Sequence, residues 1–430
     1  MKFRINRFVY LLLVGFFFAT IISCSSDPPI EEPTPEEPAP EEPTPEEPGE
    51  VIGTIPVTVS PDIRITFQAT KINQLTGDYD KHLRKPTLSQ TNTRYGFHGT
   101  DLGVPFQDGD TTWVLFGDTW GIKGGLPDVI GYTTEKTPED GLKLDFVTDV
   151  KGVYQGIAIP GVSMEGFEVP TDGFVMNNEF FLWVTTGHIP DKVVMGKSLL
   201  VNASRENMNK GLFPKILYEL SSTKFINVSV VKVKNSDWGI SPQNEESLIM
   251  FGSGKYRESQ IYLAYQPLSG LKDKSSIRYF AGMKDGKPLW NKKEADAQPI
   301  YRLNNPGVGE LSASYNSFIK KWILLYNHGE PRGINLRTSD SPWGPWSEAL
   351  VVFRPWEDGG YCNFMHTNYT FRVCDNAHDA GRENEWGGEY GPYQYEHFAT
   401  GNDQYTTIYF NMSTWNPYTV ILMKARLSKI

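Results

Sequence analysis

The sequence has few cysteines, no excess of basic residues and only one long apolar run. Its 430 residues contain three cysteines, Cys24, Cys362 and Cys374, whose spacing matches no zinc-ligand pattern. Acidic residues outnumber basic ones by 51 to 41, so we expect no nucleic-acid partner. The sequence has no Walker loop, no Rossmann glycine pattern, no Gly-x-Ser-x-Gly elbow and no His-Glu-x-x-His. These absences argue against nucleotide-dependent, serine-hydrolase and zincin chemistry, and we expect no cofactor and no metal ion.

The apolar run, Phe8–Ile22, lies at the N-terminus and is short for a membrane-spanning helix. It follows Lys2, Arg4 and Arg7 and ends at Ser23-Cys24, as in a secretory signal. The segment resembles a bacterial lipoprotein signal, with Ile21 where leucine is usual. We therefore expect residues 1–24 to direct lipidation of Cys24 and to anchor the protein at the outer membrane, on the cell surface or in the periplasm. The alternatives are an ordinary signal peptide or a membrane anchor.

Residues 25–50 repeat variants of Glu-Glu-Pro-Thr-Pro. Proline favours extended polyproline II structure and like charges repel, so this segment is predicted to be a spacer. Asp27 and nine linker glutamates, with the three basic residues before Phe8, leave a formal charge of −3 of the total −10 for Val51–Ile430. That nearly neutral region contains all 11 tryptophans, which suit stacking against sugar rings or filling a β-core. It is predicted to be the functional domain.

One kind of apolar strand recurs in this domain, starting near residues 113, 180, 247, 321 and 407. After each comes a turn and a second strand, and helical periodicity is scarce. Five such units at a nearly constant period predict an all-β, five-bladed β-propeller spanning residues 51–430. An early strand near Arg64–Thr70 is expected to complete the fifth blade. A parallel β-helix has shorter repeats, and a two-domain sandwich does not explain the spacing.

The stretch Gly99–Gly121 carries one carboxylate, Asp101, before a predicted hairpin and another, Asp118, at the end of its returning strand. The connecting segment contains Asp-Gly, a common hairpin turn. Two acids on rigid strands beside Trp120 suit general acid–base work on a sugar. Alternatively, both acids simply hydrogen-bond the backbone in tight turns.

Because propeller loops converge on a central funnel, polar residues at the ends of the recurrent strands are the further candidates. Glu310 precedes an alternating segment and is predicted to be catalytic. Cys362 and Cys374 either pair as a disulfide around His366 or stay free. The predicted substrate-binding residues are His98, Trp120, Glu165, Asp172, His188, His328, Tyr361, His366, Trp386 and Trp415. Structural roles are the alternative for the histidines and for Asp172, which begins an Asp-Gly turn.

Five motifs in order resemble the domain of unknown function 4185, over nearly all of Arg94–Leu427. They are Gly99-Thr-Asp-Leu-Gly, Phe116-Gly-Asp-Thr, Gly309-Glu-Leu-Ser, Gly344-Pro-Trp-Ser and Trp415-Asn-Pro-Tyr. Members of that family have been grouped as glycoside hydrolase family 183, endo-acting D-arabinanases that cut the arabinan of mycobacterial cell walls. The resemblance thus implies a five-bladed propeller and cleavage of α-linked D-arabinofuranose.

Two functions compete at this point: a lipid-anchored endo-D-arabinanase, and a non-catalytic glycan-binding lipoprotein of the same fold. The presence of Asp101, Asp118 and Glu310 favours the enzyme, and the expected partner is an arabinan. A sialidase would need an arginine cluster and a Tyr–Glu pair that the sequence does not reveal. The roles expected from position are Asp101 as base or nucleophile, Glu310 as general acid, and Asp118 as a carboxylate that orients or tunes them.

Overall fold

The computed structural model describes residues 51–189, 192, 194–368 and 377–430. The predicted signal, the lipidation site Cys24 and the linker lie outside these ranges. Among the described residues, no helix is long and apolar enough to cross a bilayer. Cys362 is disulfide-bonded, and Cys374, its predicted partner, is also outside the described ranges.

The chain first crosses the outer edges of two later blades. Gly53 N–H donates to Ala281 O at 2.7 Å, and Val59 N–H donates to Trp346 O at 3.0 Å. The elements that follow are β1 (Ile63–Gln74), β2 (Tyr79–Asp80), β3 (Lys85–Pro86), α1 (Thr91–Tyr95) and β4 (Phe97–Gly99).

Five antiparallel sheets follow, each the blade of a propeller. Blade I comprises β5 (Leu102–Asp108), β6 (Thr111–Phe116), β8 (Val129–Thr133) and β9 (Asp145–Phe146), while β7 (Trp120–Gly121) pairs with β4. Blade II comprises β10 (Pro170–Met176), β11 (Glu179–Thr186), β12 (Lys197–Ser204) and β13 (Lys215–Ser221). Blade III comprises β14 (Asn227–Lys234), β15 (Glu246–Ser253), β16 (Ile261–Pro267), β17 (Arg278–Lys284) and β18 (Lys287–Asn291).

The last two blades complete the ring. Blade IV comprises β19 (Leu311–Asn316), β20 (Lys321–Gly329), β21 (Arg332–Ser339) and β22 (Leu350–Phe353). Blade V comprises β23 (Glu389–Gln394), β24 (Thr400–Gly401), β25 (Tyr405–Thr414), β26 (Thr419–Lys429) and the N-terminal β1. The remaining helical elements are α2 (Arg205–Met208), α3 (Asn235–Trp238) and the 3₁₀ turns Leu268–Gly270, Lys274–Ser276, Glu294–Asp296 and Glu396–Phe398.

The five-bladed prediction is confirmed, and so is ring closure by the early strand. Strand β1 pairs with β26 from Ile63–Lys429 to Gln74–Ile421. The recurrent apolar strands are β6, β11, β15, β20 and β25, the second strand of each blade. The strands in contact around the centre are the preceding ones, β5, β10, β14, β19 and β23. The innermost strands carry more polar residues, so they did not produce the repeated apolar pattern in the sequence.

The recurrent strands read as continuous apolar runs because both faces of each blade are covered by neighbouring blades. On β11, Phe180 and Leu182 pack with side chains of blade I. Their neighbours Phe181 and Trp183 point to the opposite face and pack with blade III. Alternation along a strand therefore fills two inter-blade cores from one sequence segment. Five such cores, one between each pair of blades, hold the ring together.

Candidate active site

The stretch from Gly99 to Gly121 folds as the predicted hairpin with an additional short ladder. Strands β5 and β6 pair from Leu102–Phe116 to Asp108–Thr111, and β4 pairs with β7 just beyond them. Asp101 lies between β4 and β5, and Asp118 lies between β6 and β7. Both acids therefore occupy the two chain crossings between the blade and this ladder. Thr100 Oγ1 donates to Gly117 O at 3.0 Å and lies 2.9 Å from Thr119 Oγ1, which joins the two crossings.

Close packing at these crossings fixes the Asp101 carboxyl group. Its Oδ1 would lie only 2.3 Å from a Cβ placed on Gly117, so no larger residue fits there without movement. Leu102, the next residue, has a φ of 62°, a costly conformation for a branched side chain. The Leu102 N–H is held by Ser413 Oγ of blade V at 2.7 Å. Blade V thus helps to impose the backbone conformation that aims Asp101.

Asp101 lies among carboxylates and tyrosines. Tyr390 OH donates to its Oδ2 at 2.9 Å, and Tyr418 hydrogen-bonds the same group. Burial, and then the charge of Asp118, raises the pKa of Asp101 to about 8, with a smaller contribution from Glu310. Asp101 is therefore largely protonated at neutral pH.

Asp118 occupies a different environment on the same hairpin. Phe167 N–H donates to its Oδ2 at 3.3 Å. Burial raises the pKa of Asp118 to about 6, while hydrogen bonds from the Phe167 and Gly166 backbone act in the opposite direction. Two carboxyl groups with separated pKa values are the pattern expected of an acid–base pair.

Glu310 approaches the same cluster from blade IV, immediately before β19. Its Oε1 accepts a hydrogen bond from Tyr256 OH at 2.8 Å, and its charge contributes to the raised pKa values of Asp101 and Tyr390. Among the described residues, Asp101 Oδ1, Asp118 Oδ1 and Glu310 Oε2 are buried without a hydrogen-bond partner. The structure thus brings the three predicted catalytic acids together and leaves one buried oxygen of each without a hydrogen-bond partner in the described part of the chain.

Two further acids belong to this cluster and were not predicted. Asp128 is fully buried, and both of its carboxylate oxygens lack a partner in the described part of the chain. Burial, with the charges of Asp118 and Asp101, raises the pKa of Asp128 well above its usual range. Glu168 accepts from Gly187 N–H at 2.6 Å and acts electrostatically on Asp118. In the sequence, Asp128 is an isolated acid just before an apolar strand. Such a position is also typical of a turn residue, so it did not distinguish Asp128 as part of a site.

Aromatic residues predicted to bind substrate lie beside the acids. Trp120 stacks on Tyr418 with ring centroids 4.6 Å apart, and Trp415 meets Trp120 edge-on at 6.3 Å. Exposed His98 lies 6.5 Å from Trp120. On the blade IV side, Trp386 donates a hydrogen bond to Tyr361 OH. The sequence identified these rings but missed the arginines, Arg332 and Arg382, that pack against them.

The other predicted binding residues have mostly structural contacts. Asp172 accepts from Gly173 and Val230 N–H, each at 2.7 Å. His328 uses both ring nitrogens: Nδ1 accepts from Glu330 N–H at 2.7 Å, and Nε2 lies 2.9 Å from Asn305 O. These bonds tie both side chains to the backbone of neighbouring segments, and both side chains are largely buried.

The remaining three differ in exposure. His366 is fully buried, with Nε2 2.7 Å from Glu383 O. Glu165 is exposed in the loop before β10, and its N–H donates to Glu168 at 3.4 Å. Burial lowers the pKa of His188, which the charge of Glu168 partly offsets. Only Glu165 and His188 therefore adjoin the acid cluster through Glu168. No group of three or more His, Cys, Asp or Glu side chains in the described ranges is arranged to hold a metal ion.

The sequence model of the domain of unknown function DUF4185 matches residues 87–191 and 197–424. The chain belongs to the DUF4185 family. The two matched segments include all three predicted catalytic acids and every predicted substrate-binding position. A search of curated protein sequences finds no significant match for this DUF4185 protein.

Solved structures resemble this DUF4185 protein in fold. A Bacteroides ovatus protein provisionally named a hydrolase has 11% identity and a TM-score of 0.51, with 78% of this chain and 87% of that chain covered. A Bacillus subtilis arabinanase has 13% identity and a TM-score of 0.39, covering 76% and 96%. The GH43_1 enzyme from Xanthomonas citri, solved with xylotriose, has 11% identity and a TM-score of 0.40, covering 76% and 87%. At these identities the likeness concerns the fold alone.

Proposed function

We propose that this DUF4185 protein is a glycoside hydrolase, an endo-D-arabinanase that cleaves internal α-D-arabinofuranosyl linkages of mycobacterial-type arabinan. The observation that carries the proposal is the cluster of Asp101, Asp118 and Glu310, each with one carboxylate oxygen that has no hydrogen-bond partner among the described residues. Glycoside hydrolysis needs one protonated and one ionised carboxyl group at the scissile bond. The arabinan specificity rests on the sequence motifs shared with the family.

The proposed roles differ from those expected from sequence position. Asp101, with a pKa of about 8, is the proton donor to the glycosidic oxygen. Asp118, with a pKa of about 6, is the ionised carboxylate that activates water or attacks the anomeric carbon. Glu310 holds negative charge near Asp101 and contributes to keeping it protonated. The roles are reassigned because burial and neighbouring charge determine which carboxyl group keeps its proton. Position in the chain reveals neither of them.

The decisive experiment incubates purified D-arabinan with the full chain and with Asp101→Asn, Asp118→Asn and Glu310→Gln. We expect short oligosaccharides from the wild type and kcat lowered about 10²–10⁴-fold by either aspartate substitution. Asp110→Asn is the matched control, because Asp110 lies at the exposed tip of the same hairpin. Circular dichroism confirms that each variant is folded.

The outcomes separate the competing functions. Activity on L-arabinan but not D-arabinan would overturn the substrate while leaving a glycosidase. Binding of D-arabinan with no hydrolysis by the wild type would favour the non-catalytic glycan-binding protein. Full activity of Asp101→Asn would place the proton donor elsewhere. NMR of the first-formed anomer then distinguishes water activation by Asp118 from direct attack.

We also propose that the enzyme is lipid-anchored through Cys24, on the strength of the apolar run and Ser23-Cys24. The expected result of Cys24→Ala is loss of the protein from the membrane fraction, with the arabinanase activity retained. Equal membrane partitioning of Cys24→Ala and wild type would contradict the anchor.

A further inference from the structure

All eleven tryptophans lie in the described part of the chain, and three of them are exposed: Trp356, Trp386 and Trp415, each more than a third accessible. All three follow blade IV or lie within blade V loops. Large aromatic rings contribute most of their binding energy when they are covered, so solvent-facing tryptophans gathered in one region point to a binding surface.

Trp415 belongs to the first of two ring clusters, which we call platform one: Trp120, Trp415, Tyr418 and Arg382. The Arg382 guanidinium lies 4.8 Å from the ring centroids of both Trp120 and Trp415. Asp379 at 3.1 Å and Glu385 at 2.7 Å hold the guanidinium in place. Trp415 Nε1 also donates to Glu385 at 3.0 Å, so the ring has a fixed orientation.

Trp356 and Trp386 form the second cluster with Arg332 and Tyr361, which we call platform two. The Arg332 guanidinium is 4.7 Å from the centroid of Trp356 and 4.4 Å from that of Trp386. Arg332 and Trp386 both donate hydrogen bonds to Tyr361 OH. The same arginine lies 3.6 Å from Glu389 Oε1. As in platform one, an arginine with a carboxylate partner positions two indole rings.

The two platforms lie next to different acids of the cluster. Platform one reaches Asp101, because Tyr418, on which Trp120 stacks, hydrogen-bonds that carboxyl group. Platform two reaches Glu310 through Glu389 and Arg257, since Arg257 interacts electrostatically with both glutamates. Gly388 joins them: a Cβ placed there would lie 3.4 Å from Trp386 and 3.7 Å from Trp415.

We propose that platforms one and two form one continuous surface that binds consecutive sugar rings of one polysaccharide chain beside the acids. The inference rests on the proposed function and deepens it, because a surface that holds several consecutive sugar rings selects a polymer over a short sugar. Each arginine is matched by carboxylates, which suits a neutral polymer. Rings held by hydrogen bonds and cation–π contacts lose little conformational entropy on binding, so they are preorganised.

Binding is measured in the inactive Asp101→Asn chain, so that D-arabinan stays intact. In that background Trp386→Ala and Trp415→Ala are each expected to weaken binding of long D-arabinan roughly tenfold. A disaccharide, which covers only part of this surface, is expected to lose less affinity than long D-arabinan in at least one of the two variants. Phenylalanine at either position is expected to restore most of the affinity, because it keeps an aromatic face.

Tyr405→Ala is the matched control. Tyr405 also carries an arginine over its ring, Arg426 at 5.0 Å, but it begins β25, whereas Trp415 follows the other end of that strand. The ten residues of β25 separate the two rings by roughly 30 Å. This substitution is expected to leave arabinan binding unchanged.

Separate measurements of hydrolysis and of binding distinguish the proposed enzymatic function from the proposed platforms. Wild-type affinity in both tryptophan variants, for the long and the short ligand, would overturn the platforms even if the protein hydrolyses arabinan. Losses of disaccharide binding as large as those of long D-arabinan in both variants would also overturn them, because they would indicate a site for two rings only. Platform-dependent binding without any hydrolysis by the wild type would instead reject the enzyme and retain the platforms.

Discussion

At the scale of single residues, the proposed hydrolysis depends on three aspartates of blade I that lie close together in a buried region. The charge of Asp118 helps to raise the pKa of Asp101, and the charges of Asp118 and Asp101 help to raise the pKa of Asp128. Burial disfavours every additional negative charge, so the group holds protons that isolated aspartates would have lost. A carboxylic acid that stays protonated near neutrality is what a glycosidase needs as its proton donor.

The pH dependence of kcat/KM on arabinan is expected to be bell-shaped. Asp118 must be ionised, so activity falls below about pH 6. Asp101 must be protonated, so activity falls above about pH 8. Glu310→Gln is expected to move the alkaline limb to lower pH, because the charge of Glu310 raises the pKa of Asp101. An alkaline limb that keeps its position in Glu310→Gln would contradict the proposed electrostatic role.

Asp101→Asn and Asp128→Asn are expected to stabilise the folded protein at alkaline pH. The folded pKa values of both acids are raised, so between about pH 4 and 8 the folded state binds more protons than the unfolded state. Wild-type stability therefore falls as pH rises through this window, and the amides remove that loss. Thermal unfolding should show Tm gains of about 2–4 °C at pH 8.

At pH 4 the folded acids are protonated and the unfolded ones, with an ordinary pKa of 3.8, are already about half protonated, so the gain should largely vanish. The exposed Asp110→Asn provides the comparison. A variant that is destabilised at pH 8 to the same extent as at pH 4 would show that the carboxyl groups are not under electrostatic strain.

At the scale of secondary-structure elements, the innermost strands are joined by side chains as well as by packing. Asp172 on β10 accepts a hydrogen bond from Val230 N–H on β14, the innermost strand of the next blade. Ser312 Oγ on β19 donates similarly to Pro392 O on β23. Polar residues on these strands thus connect blades around the channel, which explains why not every inward acid belongs to the site.

Asp172→Ala is expected to lower the free energy of unfolding by about 1–3 kcal/mol, because it leaves a buried Val230 N–H unpaired. Denaturant unfolding at neutral pH measures the loss, and Asp172→Asn, which keeps an acceptor oxygen, should recover much of it. Turnover of the folded Ala variant should stay near wild type. A large fall in kcat with unchanged stability would return Asp172 to the list of substrate-binding residues.

At the scale of the whole molecule, an N-terminal segment closes the ring. Residues 53–59 pair with blades III and IV, and β1 then becomes the outer strand of blade V. Contacts between residues more than 300 positions apart join the first and last strands. Because closure removes the free edge of β26, the fifth blade depends on it.

A chain beginning at Gly77 is expected to lose cooperative thermal unfolding or to aggregate, because it lacks β1 and its buried Ile63 and Ala69. The matched control begins at Val51, which removes the leader and linker but keeps the closing strand. Circular dichroism melts compare the two. Equal Tm values for both chains would show that β1 is dispensable.

The hairpin that carries Asp101 and Asp118 and the blade repeat were predictable from the sequence because their signals are local. A turn dipeptide between apolar runs specifies the β5–β6 hairpin. Strands covered on both faces must be apolar throughout, so β6, β11, β15, β20 and β25 stand out. The early strand near Arg64–Thr70 could be assigned to blade V because the last blade was otherwise one strand short.

Only the tertiary structure decided which acids share a site and which of them keeps a proton. Asp101, Asp128 and Glu310 are distant in sequence, and burial with mutual repulsion sets their proton affinities. The same holds for Arg332 and Arg382, whose role depends on rings contributed by other segments. Local patterns determine strands and turns, whereas electrostatics and ring stacking depend on distances that exist only after the blades close.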